Sequence, residues 1–238
     1  MTLIKDEAKA SSFCVDLIDL LGICDKITFV RDMLVEKYFL ANNVKGKEKY
    51  MSLEDLKKKI SDFKPYNEQE ERDKALMLNF IEKNENCLTR ENVIAHFTAS
   101  NWIVNKERTK VIMIYHNIYK SWAWTGGHAD GDSDLMHVAR KEAEEECGLS
   151  NLKALNDGLF SLECLTVNGH VKRGRYVSSH LHLNCTFLFE ADEKDLLRIK
   201  EDENRGVTWV DINKVTEFST EENMKPIYLK LNEKLKNI

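Results

Sequence analysis

The chain has 238 residues, 42% of them hydrophobic and 32% charged, with a net charge of −5 and a pI near 5.9. That length holds one large domain, or one domain with a helical appendage. The acidic balance gives no basic field for DNA or an anionic membrane. No apolar run approaches the roughly 20 residues of a transmembrane helix, and Met1-Thr2-Leu3-Ile4-Lys5-Asp6 does not resemble a signal peptide, so the cytoplasm is the expected location.

Residues 1 to about 64 read as helical. Phe13, Val15, Leu17, Ile18, Leu20 and Leu21 form one apolar segment, and Ile27, Val30, Met33, Leu34 and Phe39 form another with helical spacing. Ser52 is a candidate N-cap for a third short helix. Pro65 marks a boundary, dividing a helical N-terminal extension (1–65) from the main domain (66–238). Asn67 and Glu70 have the spacing of a capping box that opens a helix to about Lys83.

From residue 93 the period shifts to that of strands. Ile94–Val104 and Lys110–Tyr115 flank the hairpin-like connection Asn105-Lys106-Glu107-Arg108. Ser121-Trp122-Ala123-Trp124 leads into Gly126-Gly127-His128-Ala129-Asp130-Gly131, and a helical run follows, ending Lys141-Glu142-Ala143-Glu144-Glu145-Glu146-Cys147-Gly148-Leu149. Further strands are expected over 158–167, 178–190 and 207–210, with a closing helix over 222–236. Strands interrupted by one helix and closed by another predict an α/β sandwich around a mixed sheet. The six cysteines (14, 24, 87, 147, 164, 185) show no Cys-x-x-Cys or zinc spacing and read as buried free thiols.

The glutamates at the end of the central helix carry the chemistry. Glu142, Glu145 and Glu146 lie at i, i+3 and i+4, so they share one helical face. Their mutual repulsion adds to the unfavourable helix dipole, which disfavours anions in the last turn by roughly 0.3–1 kcal/mol each. A divalent cation would turn that poor local arrangement into a binding site.

This stretch resembles the Nudix box, G-x5-E-x7-R-E-U-x-E-E-x-G-U, where U is bulky and aliphatic. Gly127 falls on the first glycine, Glu142 on the Glu of the Arg-Glu pair, Glu145 and Glu146 on the Glu-Glu pair, and Gly148-Leu149 closes it. Three positions depart from the pattern: Ser133 replaces the first Glu, Lys141 the Arg, and Ala143 the aliphatic residue. Arg140 is one residue away from the Arg position, a rotation of about 100°, and is no obvious stand-in.

The resemblance implies a Nudix-type α/β/α sandwich (α+β) behind the N-terminal helical extension. It also implies Mg2+- or Mn2+-dependent hydrolysis of a nucleoside diphosphate linked to another group. Glu142, Glu145 and Glu146, with the Gly126 carbonyl, would hold the metal. One of these glutamates, or Glu203 from the acidic loop before the last strand, would act as base. The isopentenyl diphosphate isomerases share the fold but carry a Cys in the segment that here reads Ala123-Trp124-Thr125-Gly126, so that activity is not expected.

Other residues are candidates for holding substrate beside Gly127. Lys172, Arg173 and Arg175 form a basic, glycine-flanked loop that could grip phosphates, or be solvated. Trp102, Trp122 and above all Trp124 could stack on a base, or be core. His180 and His182 share the face of a strand with Asn184 and Thr186, opposite Leu181, Leu183, Cys185, Phe187 and Phe189. They could line a polar cavity, bind a metal, or simply belong to a strand with one wet face, and side chains two apart lie about 7 Å from each other along a strand. Residues 1–64 would pack on the domain, form a homodimer contact, or cover the site. The alternative from another class is a catalytically silent Nudix domain that senses a nucleotide through those helices, a reading that Ser133 and Lys141 keep open.

Overall fold

The structure, a computed structural model, describes residues 51–172 and 174–238; the helical segments expected within residues 1–50, Cys14, Cys24 and Arg173 lie outside the described residues. Tyr50–Ile238 forms one compact unit. Among the described residues no helix is long and apolar enough to cross a membrane.

Helix α1 (Leu53–Asp62) opens on a reciprocal capping box: Asp55 N–H donates to the Ser52 hydroxyl at 3.2 Å and Ser52 N–H to the Asp55 carboxylate at 3.0 Å. Helix α2 (Glu68–Lys83) is capped by Asn67, but only half of the expected box forms. The Glu70 carboxylate accepts from Tyr66 N–H at 2.7 Å instead and turns inward, where the side chain is fully buried.

Ten strands follow: β1 (Ala95–Val104), β2 (Lys110–His116), β3 (Ser121–Ala123), β4 (Thr125–His128), β5 (Lys153–Ala154), β6 (Ser161–Val167), β7 (His170–Lys172), β8 (Arg175–Val177), β9 (His180–Glu190) and β10 (Asn204–Asp211). Helix α3 (Leu135–Cys147) comes after β4, and α4 (Val215–Phe218) and α5 (Lys225–Leu235) close the chain. The main sheet is mixed, in the order β10-β2-β1-β9-β5, with β3, β4 and β6 added onto β2, β1 and β9. Its one parallel pair is β1 with β9, aligning Ala95 with Leu181 through Val104 with Glu190. The presumed basic loop is a two-stranded hairpin, β7–β8, with Gly174 at positive φ in the turn.

Period-2 alternation divides the core between the two faces. Odd positions of β1 and β9 (Phe97, Ala99, Leu183, Cys185, Phe187, Phe189) pack with α1, α2 and α3. Trp102, Val104 and Leu188 pack on the other face with Tyr228, Leu231 and Leu235 of α5. The sheet thus lies between helices, as the sandwich reading expects. Trp102 is fully buried and stacked on Tyr228, with centroids 5.4 Å apart, so it has no free face for a base. The described cysteines, 87, 147, 164 and 185, are free thiols.

Beyond His182, the even face of β9 is not open to water. Asn184 and Thr186 are buried beneath a polar layer, with the Glu163 carboxylate accepting from Asn184 Nδ2 at 3.0 Å and from the Thr186 hydroxyl at 2.7 Å. Lys230 of α5 lies 2.9 Å from Glu163 and 3.2 Å from Glu70, and Lys234 pairs with Glu70 at 2.5 Å. Lysines at i and i+4 of the last helix therefore neutralise carboxylates from α2 and β6 and bind α2 to the domain.

Candidate active site

Close backbone approach sets the site. Gly126 and Gly127 of β4 pair with Ser100 and Ala99 of β1. A Cβ on Gly126 would lie 2.5 Å from the Ala99 carbonyl oxygen, and one on Gly127 would overlap the Glu142 carboxylate. The clash at Gly126 is with backbone and only glycine avoids it, whereas a side chain at Gly127 would push Glu142 out of its place. The loop to α3 is held by Arg90, which grips Asp130 at 2.7 and 2.6 Å where Asp130 adopts a φ of 47°. Asp134 caps α3, and Gly148, at a φ of 80°, ends it.

The departures from the box have visible local roles. The Ser133 hydroxyl, largely buried, donates to the Met51 carbonyl ahead of α1. Ala143 is fully buried where α3 packs on the sheet, which leaves little room for a larger side chain. Lys141 reaches Glu145 at 3.7 Å. Arg140 turns away, donating to the Leu152 carbonyl at 2.6 Å and lying over Phe189.

Glu142, Glu146 and Glu203 converge, each offering a carboxylate oxygen within 4.8 Å of the others. Glu146 is 3% exposed, its carboxylate accepting from Gly126 N–H at 2.9 Å. Burial pushes its pKa up to about 8 against that hydrogen bond, with Glu142 and Glu203 adding repulsion. Glu142 is also raised, by burial first and then by Glu145. Asn204, absent from the sequence reading, donates to the Glu146 carbonyl at 2.8 Å and so fixes the start of β10, with Glu203, beside the helix end.

Glu145 is oriented differently. It meets Lys200 at 2.9 Å, whose hydrogen bond holds the Glu145 carboxyl below its usual range. Lys200 also pairs with Glu203 at 3.0 Å. The chain therefore carries its own counterion for the outer glutamates, which the spacing of the box could not reveal.

Glu146 borders a cavity of about 450 Å³ whose walls also include Gly126, Gly127, Trp124, His128 and His182. Trp124 keeps an edge on it while packing against Tyr228. Trp122 lies edge-on to Tyr115 and Phe218. At the mouth, Gly169 and His170 lead into the β7–β8 hairpin, whose Lys172 and Arg175 are exposed. Lys172 is close enough for its charge to depress His116 and His128, although burial is the larger cause for both. His180 stands behind His182, their Nε2 atoms 3.2 Å apart. The 7 Å expected from strand spacing applies to the backbone; ring rotation closes the gap.

Comparison with known proteins agrees with the box. The model of the NUDIX domain family matches residues 95–231. Similar solved structures include a C. elegans Ap4A hydrolase binary complex (16% identity, 60% of this chain and 98% of that one, TM-score 0.46). A NUDIX-family hydrolase from Clostridium perfringens is 21% identical over 59% of this chain and 97% of that one, with a TM-score of 0.42. A Nudix hydrolase from M. smegmatis is 15% identical over 60% and 87%, with a TM-score of 0.46. No curated protein sequence matches the chain.

Proposed function

The chain belongs to the Nudix family, and from that premise we propose that it is a Mg2+- or Mn2+-dependent pyrophosphohydrolase acting on a small nucleoside diphosphate derivative in the cytoplasm. The observation that carries this reading is the convergence of Glu142 and Glu203 on Glu146, which lines the cavity. Three hard oxygen donors, one buried without a cationic partner, suit a small divalent ion that shares its remaining positions with phosphate and water. Glu142, Glu145 and Glu146 with the Gly126 carbonyl form the proposed ligand set, Glu145 being released from Lys200 to join it. Such an ion supplies charge stabilisation at phosphate oxygens and acidifies a water.

The remaining roles belong to the chain's own groups. Glu203, only part-buried, accepts the proton of the attacking water. Gly126 N–H holds the Glu146 carboxylate in place, and Gly127 leaves space for Glu142. Trp124 offers an apolar wall to the base or sugar, and His180 and His182 close the polar end. Lys172, Arg173 and Arg175 attract the phosphates. Residues 1–65 are proposed as a helical extension ahead of the domain, of which α1 packs into the shared core.

The test is release of phosphate or pyrophosphate across nucleotides, nucleotide sugars, dinucleotides and capped RNA, with Mg2+ and Mn2+. Metal-dependent turnover of one class, lost in Glu145→Gln and Glu146→Gln, is expected. Silence across the panel with metal binding intact would overturn the hydrolase and favour the nucleotide-sensing alternative.

A further inference from the structure

A second cluster of potential ligands lies at the other end of the cavity, built by strand pairing rather than by one helix. The parallel register of β1 and β9 sets His96 opposite His182, and the antiparallel register of β1 and β4 sets Thr98 opposite His128. All three histidines therefore emerge on the even face of the sheet. One ring nitrogen of each lies within 4.8 Å of those of the other two. The His96 ring is surrounded, with the His128, His180 and His182 centroids 5.0–5.1 Å away.

Hydrogen bonds fix where the lone pairs are. His96 Nδ1 lies 3.0 Å from the Asn92 carbonyl oxygen, so Nδ1 carries the proton and donates it, leaving Nε2 a bare acceptor. That Nε2 is buried with no partner, and the residue is 4% exposed. His180 Nδ1 lies 2.8 Å from the Ser178 carbonyl, which leaves His180 Nε2 to accept from His182 Nε2–H at 3.2 Å. His182 then presents Nδ1 as its lone pair. Neither nitrogen of His128 meets a partner among the described residues. The cluster is made of imidazoles alone, with no carboxylate among the grouped ligand atoms. His96, anchored through Nδ1 by a carbonyl, and His182, anchored through Nε2 by the His180 ring, are held as metal-ligating imidazoles are. Without a metal ion, His96 Nε2 is a buried acceptor whose lost hydration nothing repays.

We propose that His96, His128 and His182 bind a nitrogen-preferring divalent transition ion of the zinc class, with Asn92 and His180 as positioning groups and an open coordination position toward the cavity. An all-imidazole set selects zinc, copper, iron or nickel over magnesium. Zinc–nitrogen bonds of about 2.0–2.1 Å place tetrahedral ligand atoms about 3.4 Å apart, so the rings close in by roughly an ångström on binding. The site is separate from the carboxylates: His128 and His182 share the cavity wall with Glu146 but donate nitrogen, not oxygen.

The test uses the full chain, stripped with a chelator and titrated with Zn2+ or Co2+ in the presence of excess Mg2+. One equivalent of Zn2+ is expected to bind, with Co2+ giving the intense visible bands of low coordination. Both results should persist in Glu146→Gln, so failure of the hydrolase reading leaves this one standing. His96→Gln and His182→Gln should weaken binding at least a hundredfold, and His180→Asn about ten- to a hundredfold. Binding unchanged in the folded histidine variants, or lost only in Glu146→Gln, would overturn the site. If those variants fail to fold, imidazole nitrogen resonances of the wild-type protein decide: shifts at His96, His128 and His182 with Zn2+ but not Mg2+ support it, and their absence refutes it.

Discussion

Two groups of buried carboxylates in this fold have opposite fates. Under the sheet, Glu70 and Glu163 are each met by lysines of α5 and by hydroxyl or amide donors, so their charges are neutralised inside the protein. At the end of α3, Glu146 receives one backbone N–H and faces two further carboxylates, and the nearest cation, Lys200, serves Glu145 and Glu203. Compensated carboxylates hold elements together, whereas under-compensated ones store affinity for a cation that arrives from solution. Burial does not separate the two groups; the number of positive partners does.

The largest effect that sharpens this contrast is Glu146→Gln. The amide keeps the shape and can still accept from Gly126 N–H, but it removes the charge. Turnover is expected to fall by about a thousandfold, the scale of several kcal/mol of metal-dependent stabilisation. Thermal stability without metal should hold or rise. A large drop in Tm instead would make Glu146 a structural carboxylate like Glu163.

Lys230→Met probes the other group. It leaves Glu163 with no lysine and Glu70 with Lys234 alone, and removing one partner of a buried pair costs about 3–5 kcal/mol. Denaturant unfolding should show that loss, while kcat of the folded fraction stays near wild type. A change below about 1 kcal/mol would mean the polar layer is dispensable.

The pH dependence of metal-free stability follows from Glu146. Its folded pKa of about 8 lies above the ordinary carboxyl value of 4.5, so the folded state holds the proton more tightly. That contribution is complete below about 4.5 and is lost as pH rises toward 8. Glu145, shifted down by Lys200, contributes oppositely, gaining as pH rises through the lower end of the range. Metal-free Tm should therefore decline between neutral pH and 8, and Mg2+ should restore it. A Tm that rises across that window without metal would contradict the arrangement.

The legibility of these features in the sequence tracks how local they are. The glycine pair, the helix and its glutamates are fixed by spacing within one short segment, and the longer helices and strands fall where capping and periodicity predict, whereas the short strands β4, β5, β7 and β8 do not announce themselves. Glu145 shows the limit: helical geometry put it on the shared face, but Lys200, over 50 residues away, decides what its carboxylate touches. The histidine cluster is the extreme case. His96 and His182 meet only because two strands 86 positions apart pair in one parallel register, which no local pattern encodes. The far end of the even face of β9 likewise reads as solvated from alternation alone, but Asn184 and Thr186 are buried against Glu163, which Lys230 of α5 meets.

The smallest expected effect concerns the exposed hairpin. Lys172 and Arg175 have no carboxylate partner among the described residues and lie beside the cavity mouth, so their charge is free to act on an incoming anion. Water and salt screen charges so exposed, and each should be worth only about two- to fivefold. Lys172→Ala and Arg175→Ala should raise KM by that factor for a phosphate substrate and flatten its salt dependence. kcat should not move, because the attraction is equal for ground state and transition state. A fall in kcat at constant KM would instead bring the hairpin into contact with the reacting phosphate, and an unchanged KM and salt dependence would remove it from substrate binding altogether.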